Sequence, residues 1–357
     1  MPSIRSLVVL LAAVTAVACA GSPRAASPAP PAAPTAAAAS APTAEAPSAP
    51  AERQTIQYGY NPILAGTPMY LAQDRGYFTE QGLDVTFTPF DSGALMIAPA
   101  SAGQLDAIAA VPSPSLFNAL VRNVALKAIA MQSWSEATLL LRKDLADSGQ
   151  VKTPADLKGK RVSFNVEGSP VDYQLRRALL AQGLTLADFD VARLANSDLA
   201  AALANGAVDA GTASDPLPVL IEERGIGVRF LNTADVIGPQ PSGLLVAGPS
   251  LLERGDAITT RFVAAFLKGL RDSIAATHDH HVDDPAVLEI ISKWTRVPAE
   301  TIAQVHTPTA DPSGRIDLAN LNEQQDFWAH EGQVPTKANL DQFVEYKYLD
   351  AAAAQVR

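Results

Sequence analysis

The chain has 357 residues, 48% of them hydrophobic, and a formal charge of −10 from 27 Lys and Arg against 37 Asp and Glu. That length holds roughly two domains of ordinary size, and the acidic balance argues against nucleic acid as a partner, because phosphate recognition needs a basic footprint. The one cysteine excludes an intramolecular disulfide framework and a Cys-rich zinc or iron–sulfur site.

Arg5 precedes an unbroken run of apolar and small residues, 7–18 (LVVLLAAVTAVA). Twelve residues as a helix span about 18 Å, short of the roughly 30 Å hydrocarbon core. The run therefore reads as the h-region of a signal peptide over residues 1–18 and not as a membrane span. Ala16-Val17-Ala18-Cys19 resembles a bacterial lipobox, with Ala16 where Leu is usual. The expectation is lipidation at Cys19, with palmitate-type acyl chains holding the chain at the extracytoplasmic face of the cell membrane. An ordinary secretory signal with an incidental cysteine is the plainer alternative. Residues 20–51 are Ala, Pro, Ser and Thr with only Arg24 and Glu45 charged, and nothing there can bury enough apolar surface to offset ordering. Residues 19–52 thus read as a lipidated cysteine and a disordered tether.

From residue 55 the pattern alternates short apolar runs with amphipathic stretches, as α/β chains do. Residues 55–60 predict a strand, 68–75 a helix closed by Gly76, 83–90 a strand, and 92–102 a helix ending at Gly103. A strand over 107–111, a helix over 114–122 and a strand over 126–131 follow. Thr153-Pro154-Ala155-Asp156 starts a short helix that stops at Gly159. Then come a strand at 161–165, a helix from Ser169-Pro170 to about 182, a strand at 192–194, a helix at 197–204 and a strand at 210–213. Residues 243–247 read as an apolar return strand. Helices are predicted over 259–276, 285–294, 318–331 and 339–348.

Residues 102–107 (AGQLDA) and 205–210 (NGAVDA) share the order small residue, Gly, x, aliphatic, Asp, Ala. A repeat about a hundred residues apart points to two similarly built lobes and not to a solenoid. The return strand implies two connections between them, which is how a hinge closes around a ligand. The expected division is lobe one over 53–136, lobe two over 137–242, and a return to lobe one with C-terminal helices over 243–357.

The run Gly59-Tyr60-Asn61-Pro62, Pro68-Met69-Tyr70-Leu71-Ala72, Arg75-Gly76-Tyr77-Phe78 and Gly82-Leu83-Asp84-Val85 resembles the first lobe of ABC-importer solute-binding proteins. The branch is the one serving alkanesulfonates, nitrate, thiamine-pyrimidine precursors and riboflavin. Ser92-Gly93-Ala94, Gly103-Gln104-Leu105-Asp106, residues 153–160 and Tyr346-Lys347-Tyr348-Leu349 fit the same pattern. The resemblance implies a two-lobed periplasmic-binding-protein fold of the second type. It also implies a monomer that delivers one small molecule to permease and ATPase subunits.

Ligands in such sheets sit beyond strand carboxyl ends and between lobes. That selects Tyr60, Asn61 and Thr67 after the first strand, Asp91 and Ser92 after the second, and Ser113 after the third. Trp134 lies near the crossing. Lobe two offers Asn165, Glu167 and Ser169 with Asp172 and Tyr173 in the next helical turn, and Asp215 after a later strand. Each has a plainer reading: Asp91 and Ser169 as N-caps, Tyr60 and Trp134 as loop packing, Asp215 as a turn residue. None of these loops carries Lys or Arg, and the carboxylates suit hydroxyl and N–H donors. The pattern favours a vitamin-like heterocycle, riboflavin first and the thiamine pyrimidine next. An alkanesulfonate, taurine or nitrate is the alternative, since helix amides alone can hold an anion.

His278, His280 and His281 with Asp283 look like a metal cluster, but they stand at a helix end just before the N-cap sequence Asp284-Pro285. No metal, cofactor or catalytic residue is expected. A pyrimidine-precursor synthase of the same architecture is the enzyme rival, and it lacks support because its Cys-rich motif is missing here. A sensory lipoprotein is the remaining class.

Overall fold

The structure is a computed structural model, and it describes residues 53–356. The signal peptide, Cys19 and the tether expected over 19–52 lie outside the described residues.

The first sheet begins with β1 (Gln54–Tyr60), α1 (Thr67–Asp74), α2 (Tyr77–Glu80) and β2 (Leu83–Pro89). It continues through α3 (Gly93–Ser101), β3 (Ala107–Ala110), α4 (Pro114–Val121) and β4 (Lys127–Ser135). The chain then crosses over. The second sheet comprises β5 (Thr138–Arg142), α5 (Lys143–Asp147), β6 (Arg161–Ser163), α6 (Pro170–Leu180) and β7 (Asp190–Ala192). It is completed by α7 (Asn196–Ala204), β8 (Ala210–Ala213), α8 (Leu217–Glu223), β9 (Gly227–Asn232) and α9 (Ala234–Ile237). The return brings β10 (Gln240–Ala247), α10 (Pro249–Glu253), α11 (Asp256–Ala275) and a hairpin of β11 (Thr277–His278) and β12 (His281–Val282). After it come α12 (Pro285–Thr295), α13 (Ala299–Ile302), α14 (Leu318–His330), α15 (Leu340–Phe343) and α16 (Lys347–Gln355). No helix among the described residues is long and apolar enough to cross a membrane.

The two sheets have the same design. Their strand orders are β2-β1-β3-β10-β4 and β7-β6-β8-β5-β9. In each, three parallel strands are followed by one antiparallel strand, β10 or β5, and a last strand pairs on its far side. This is the two-lobed α/β fold expected from the sequence.

The AGQLDA and NGAVDA segments explain why the two lobes match. Gly103 and Gly206 both take φ +73°, a left-handed turn that a side chain would strain. The aspartate that follows each then ties three strands together. The carboxylate of Asp106 accepts the Gln57 N–H at 2.8 Å, and that of Asp209 accepts the Arg161 N–H at 3.0 Å. The backbone carbonyls accept N–H groups at the end of the antiparallel strand: Gly248 for Asp106, Arg142 for Asp209. An arginine from that side completes each arrangement, Arg254 at 2.9 Å and Arg142 at 3.4 Å.

The crossings are bonded to each other as well. The Ala137 N–H donates to Thr233 Oγ1 at 2.9 Å, and the Thr233 N–H donates to the Ala137 carbonyl at 2.9 Å. Strands β5 and β9 were not expected, because only Glu136 and Ala137 separate β5 from β4, and that link carries no turn signal. Strand β4 also runs past the expected residue 131. Its polar end stays in the sheet because Gln132 donates to the Ala65 carbonyl at 2.9 Å and Ser133 bonds Ser242 at 3.2 Å. The single helix expected over 339–348 is broken. Val344 is extended and bridges Ala128, and the Glu345 N–H donates to the Ala128 carbonyl, so edge pairing wins over helix there.

Helix α11 is the spine of the first lobe, with Phe262, Val263, Phe266, Leu267 and Leu270 wholly buried at helical spacing. It crosses α1 at Gly269, where an added Cβ would lie 2.1 Å from the Pro68 carbonyl oxygen and 2.9 Å from the Ala72 nitrogen. Gly269→Ala gains helix propensity of about 1 kcal/mol. The clash is with backbone, which cannot move aside, so a net loss of about 1–3 kcal/mol is expected. Urea unfolding checks this by a lower midpoint at unchanged slope.

Candidate functional site

Between the two sheets lies a cleft of ≈ 930 Å³. Strand ends make most of its walls, because backbone and cap groups there have no further ladder partner. From the first lobe, Tyr60, Asn61, Asp91, Ser92, Ser113 and Trp134 line it; from the second, Glu167, Ser169 and Asp215.

The local bonds show what each side chain is free to do. Asn61 is committed: its Nδ2 donates to the carbonyls of Phe90 and Asp91 at 3.1 and 2.8 Å, pinning the loop before α3. Ser92 is the N-cap of α3, yet its hydroxyl makes no capping bond. Ser113 caps α4 by accepting from the Leu116 N–H, and Ser115 lies 3.0 Å from it. Ser169 caps α6 by accepting from the Asp172 N–H at 3.1 Å and donates to Asn165 Oδ1 at 3.2 Å. Tyr60 stands edge-on to Tyr70, which stacks on Trp294 with ring centroids 5.4 Å apart. Burial pushes the Tyr60 hydroxyl above its usual range, so it stays neutral.

Four of the expected residues, Thr67, Asn165, Asp172 and Tyr173, do not line the cleft. Thr67 is buried and donates to the Leu64 carbonyl at 2.7 Å. Asn165 turns to Asn196, at 2.7 Å. Tyr173 is 2% exposed and packs against Phe327 and Trp328 in the first lobe's core, with centroids 5.2 and 6.1 Å away. Its place in the first turn of a capped helix put it on the face that meets α14. Neighbouring contacts fix that face: Arg176 pairs with Glu331, and Gln174 donates to Ser135 Oγ at 3.1 Å.

The carboxylates also differ from expectation. Asp172 is buried between Arg193 and Arg176, and Asp215 takes Arg229 at 2.9 Å. Burial pushes the Asp172 carboxyl upward, while the hydrogen bond and charge of Arg193 pull it down. Arginines from other elements therefore occupy two of the acids that local sequence placed facing a ligand. Glu167 accepts from Gln333 Nε2 at 2.7 Å. Among the described residues no Lys or Arg lines the cleft, and its acids are Asp91, Glu136, Glu167 and Asp215.

His280, His306, Thr307 and Thr309 form a wall that local sequence reading missed. The histidine run was visible, but Asp279 and His280 adopt φ +47° and +66°, turning it into a hairpin instead of a helix end. His278 meets Asp283 at 3.1 Å. Asp284 caps α12. Among the described residues no group of three or more His, Cys, Asp and Glu is placed to hold a metal ion.

Residues 65–278 match the family described as NMT1/THI5 like, more than half of the chain. The chain belongs to this family. The riboflavin-binding protein RibY of Chloroflexus aurantiacus is 27% identical over 230 residues, covering 63% of each chain. An Escherichia coli protein provisionally named for binding aliphatic sulfonates is 30% identical over 202 residues, 56% of this chain and 60% of its own. The chain thus spans just under two thirds of the length of these two relatives. Among solved structures, the E. coli periplasmic aliphatic sulphonate binding protein SsuA superposes with a TM-score of 0.66 at 22% identity, covering 82% of this chain and 92% of its own. The nitrate-binding protein NrtA of Synechocystis gives 0.68 at 15% identity, covering 86% and 90%. The desulfurization enzyme DszB gives 0.62 at 16%, covering 85% and 100%, so the fold is shared by binding proteins and an enzyme.

Tyr173→Ala tests the core placement: it is expected to cost on the order of 3 kcal/mol of stability in chemical denaturation. A residue standing in an open cleft would cost well under 1 kcal/mol.

Proposed function

We propose that this protein is the substrate-binding component of an ABC-type importer, capturing one small organic molecule between its lobes and presenting it to permease and ATPase subunits. The observation that carries this reading is the cleft: ≈ 930 Å³ between two sheets, with no Lys or Arg among its described lining residues. Pockets for drug-sized ligands run to roughly 300–1,000 Å³, far more than nitrate fills. Trp134 offers aromatic surface for a flat ring. Asp91 and the uncommitted Ser92 hydroxyl suit the hydroxyl groups of a sugar-like chain. Riboflavin fits this pattern best and the thiamine pyrimidine next. The likeness to RibY supports riboflavin; the likenesses to the sulfonate-binding proteins support an alkanesulfonate as the second reading.

The ligand shifts an open–closed equilibrium and undergoes no chemistry in this reading. Thermal denaturation of the purified protein with riboflavin, an aminopyrimidine, taurine, butanesulfonate and nitrate tests it. Riboflavin at a hundredfold over Kd is expected to stabilise by about 2.7 kcal/mol. Stabilisation by an anion alone would replace the ligand, and none by any compound would overturn the importer reading.

We infer further that residues 1–18 are a signal peptide and that lipidated Cys19 and the following tether hold the folded body at the outer face of the membrane. Cys19→Ala is expected to release the protein into the soluble fraction after secretion. Retention on membranes would refute the anchor.

A further inference from the structure

One wall of the cleft is built from two segments far from the strand ends. The hairpin turn between β11 and β12 supplies His280, and the loop after α13 supplies His306 and Thr307. The Thr307 N–H donates to the His280 carbonyl at 2.7 Å, so the two segments act as one. Thr307 is 6% exposed, and its hydroxyl has no hydrogen-bond partner among the described residues. A buried hydroxyl left without a partner has lost its water contacts with nothing in return. Thr307 borders the cavity, where an acceptor atom would satisfy it.

His306 is held with one nitrogen committed. Its Nδ1 lies 3.0 Å from Glu136 Oε1 in the link between β4 and β5. An ionised carboxylate only accepts, so Nδ1 carries the hydrogen and the neutral ring has a lone pair on Nε2. Protonation converts Nε2 from an acceptor into a charged donor. The His306 backbone N–H donates to Asp215 Oδ2 at 3.1 Å, and Asp215 is paired with Arg229. The His281 and His280 rings lie 5.2 and 5.7 Å from that of His306. Glu136 and Asp215 thus face His306 from the crossing and the second lobe, and two imidazoles face it from the hairpin.

We propose that this wall is a subsite for an acceptor oxygen of the ligand, a ring carbonyl or an acidic oxygen. The Thr307 hydroxyl donates to it, and protonated His306 Nε2 donates a second bond. Imidazole gains its proton as pH falls from 8 to 5, so the cleft binds such a ligand more tightly in mild acid. The inference rests on the binding-protein reading above.

Calorimetric titration of the full chain with riboflavin and with p-toluenesulfonate, at pH 7.5 and 5.5, tests it. Neither compound changes charge between these values, so a change in affinity comes from the protein. Wild type is expected to bind at least one of them about fivefold more tightly at pH 5.5, the difference between a neutral and a charge-assisted hydrogen bond. His306→Gln, which donates at any pH, should abolish the change. Thr307→Val should weaken binding about fivefold at both values. A carbonyl partner shows as the effect on riboflavin, an acidic one as the effect on the sulfonate. If only the sulfonate binds, with this pH dependence, the riboflavin reading falls and the subsite stands. If riboflavin binds equally at both values and the sulfonate shows no pH effect either, the reading stands and the subsite is overturned. Binding of neither at pH 5.5 also overturns it. Circular dichroism checks that the variants fold, and the wild-type comparison decides if one does not.

Discussion

Two aspartates at equivalent places in the lobes, Asp106 buried and Asp209 half-buried, organise this molecule. A parallel sheet needs its strands brought into register by something other than a tight turn, because each crossover is long. Asp106 and Asp209 supply that registration in their respective lobes. Each bonds the parallel neighbour through its side chain and the incoming antiparallel strand through its carbonyl. An arginine pairs with each, and at the buried Asp106 it neutralises the charge that burial would otherwise penalise. With the sheets fixed this way, their carboxyl ends face one another across a cleft, and the loops there are free to carry recognition.

The cleft's electrostatics follow from the same economy of charge. Asp172 and Asp215 are acidic in sequence but not in effect, since Arg193 and Arg229 reach them from other elements and Arg176 pairs with Asp172 one turn along the same helix. What remains facing the space is mostly apolar side chains, hydroxyls and amides, with imidazoles at one end. Such a lining recognises shape and hydrogen-bond pattern more than net charge. The contact of Tyr173, Arg176 and Gln174 with the first lobe also means that α6 is seated on both lobes.

Much of this could be read from the sequence because local signals and tertiary outcome agree. Gly76, Gly103, Gly159 and Gly206 end their helices or turns with positive φ, as glycines after periodic segments should. Tyr60, Asn61 and Ser113 follow short apolar runs, and strand ends are where an α/β sheet opens. The repeated aspartate motif was visible as a pattern before its bonding was. The sequence did not show what only chain return decides. Thr307 and His306 sit in a segment without periodicity, placed at the cleft by the Met131–Gly314 and Trp134–Thr309 backbone bonds. Tyr173 read as a cleft residue because helix position says nothing about which neighbour its face will meet. Arg193 and Arg229, 21 and 14 residues away, made Asp172 and Asp215 look available when they are not.

The position of β10 within the first sheet bears on how the chain folds. The second sheet is drawn from one continuous stretch, β5 to β9, whereas the first cannot join β3 to β4 until β10 has returned across more than a hundred residues. Long-range pairings close slowly because loop entropy is lost before contacts form. Lobe two can therefore reach its native pairing as soon as its own residues are available, while the half-built first sheet keeps an open edge on β3. During that interval the molecule exposes unpaired strand to its surroundings, and the time spent there is set by the length of the inserted lobe.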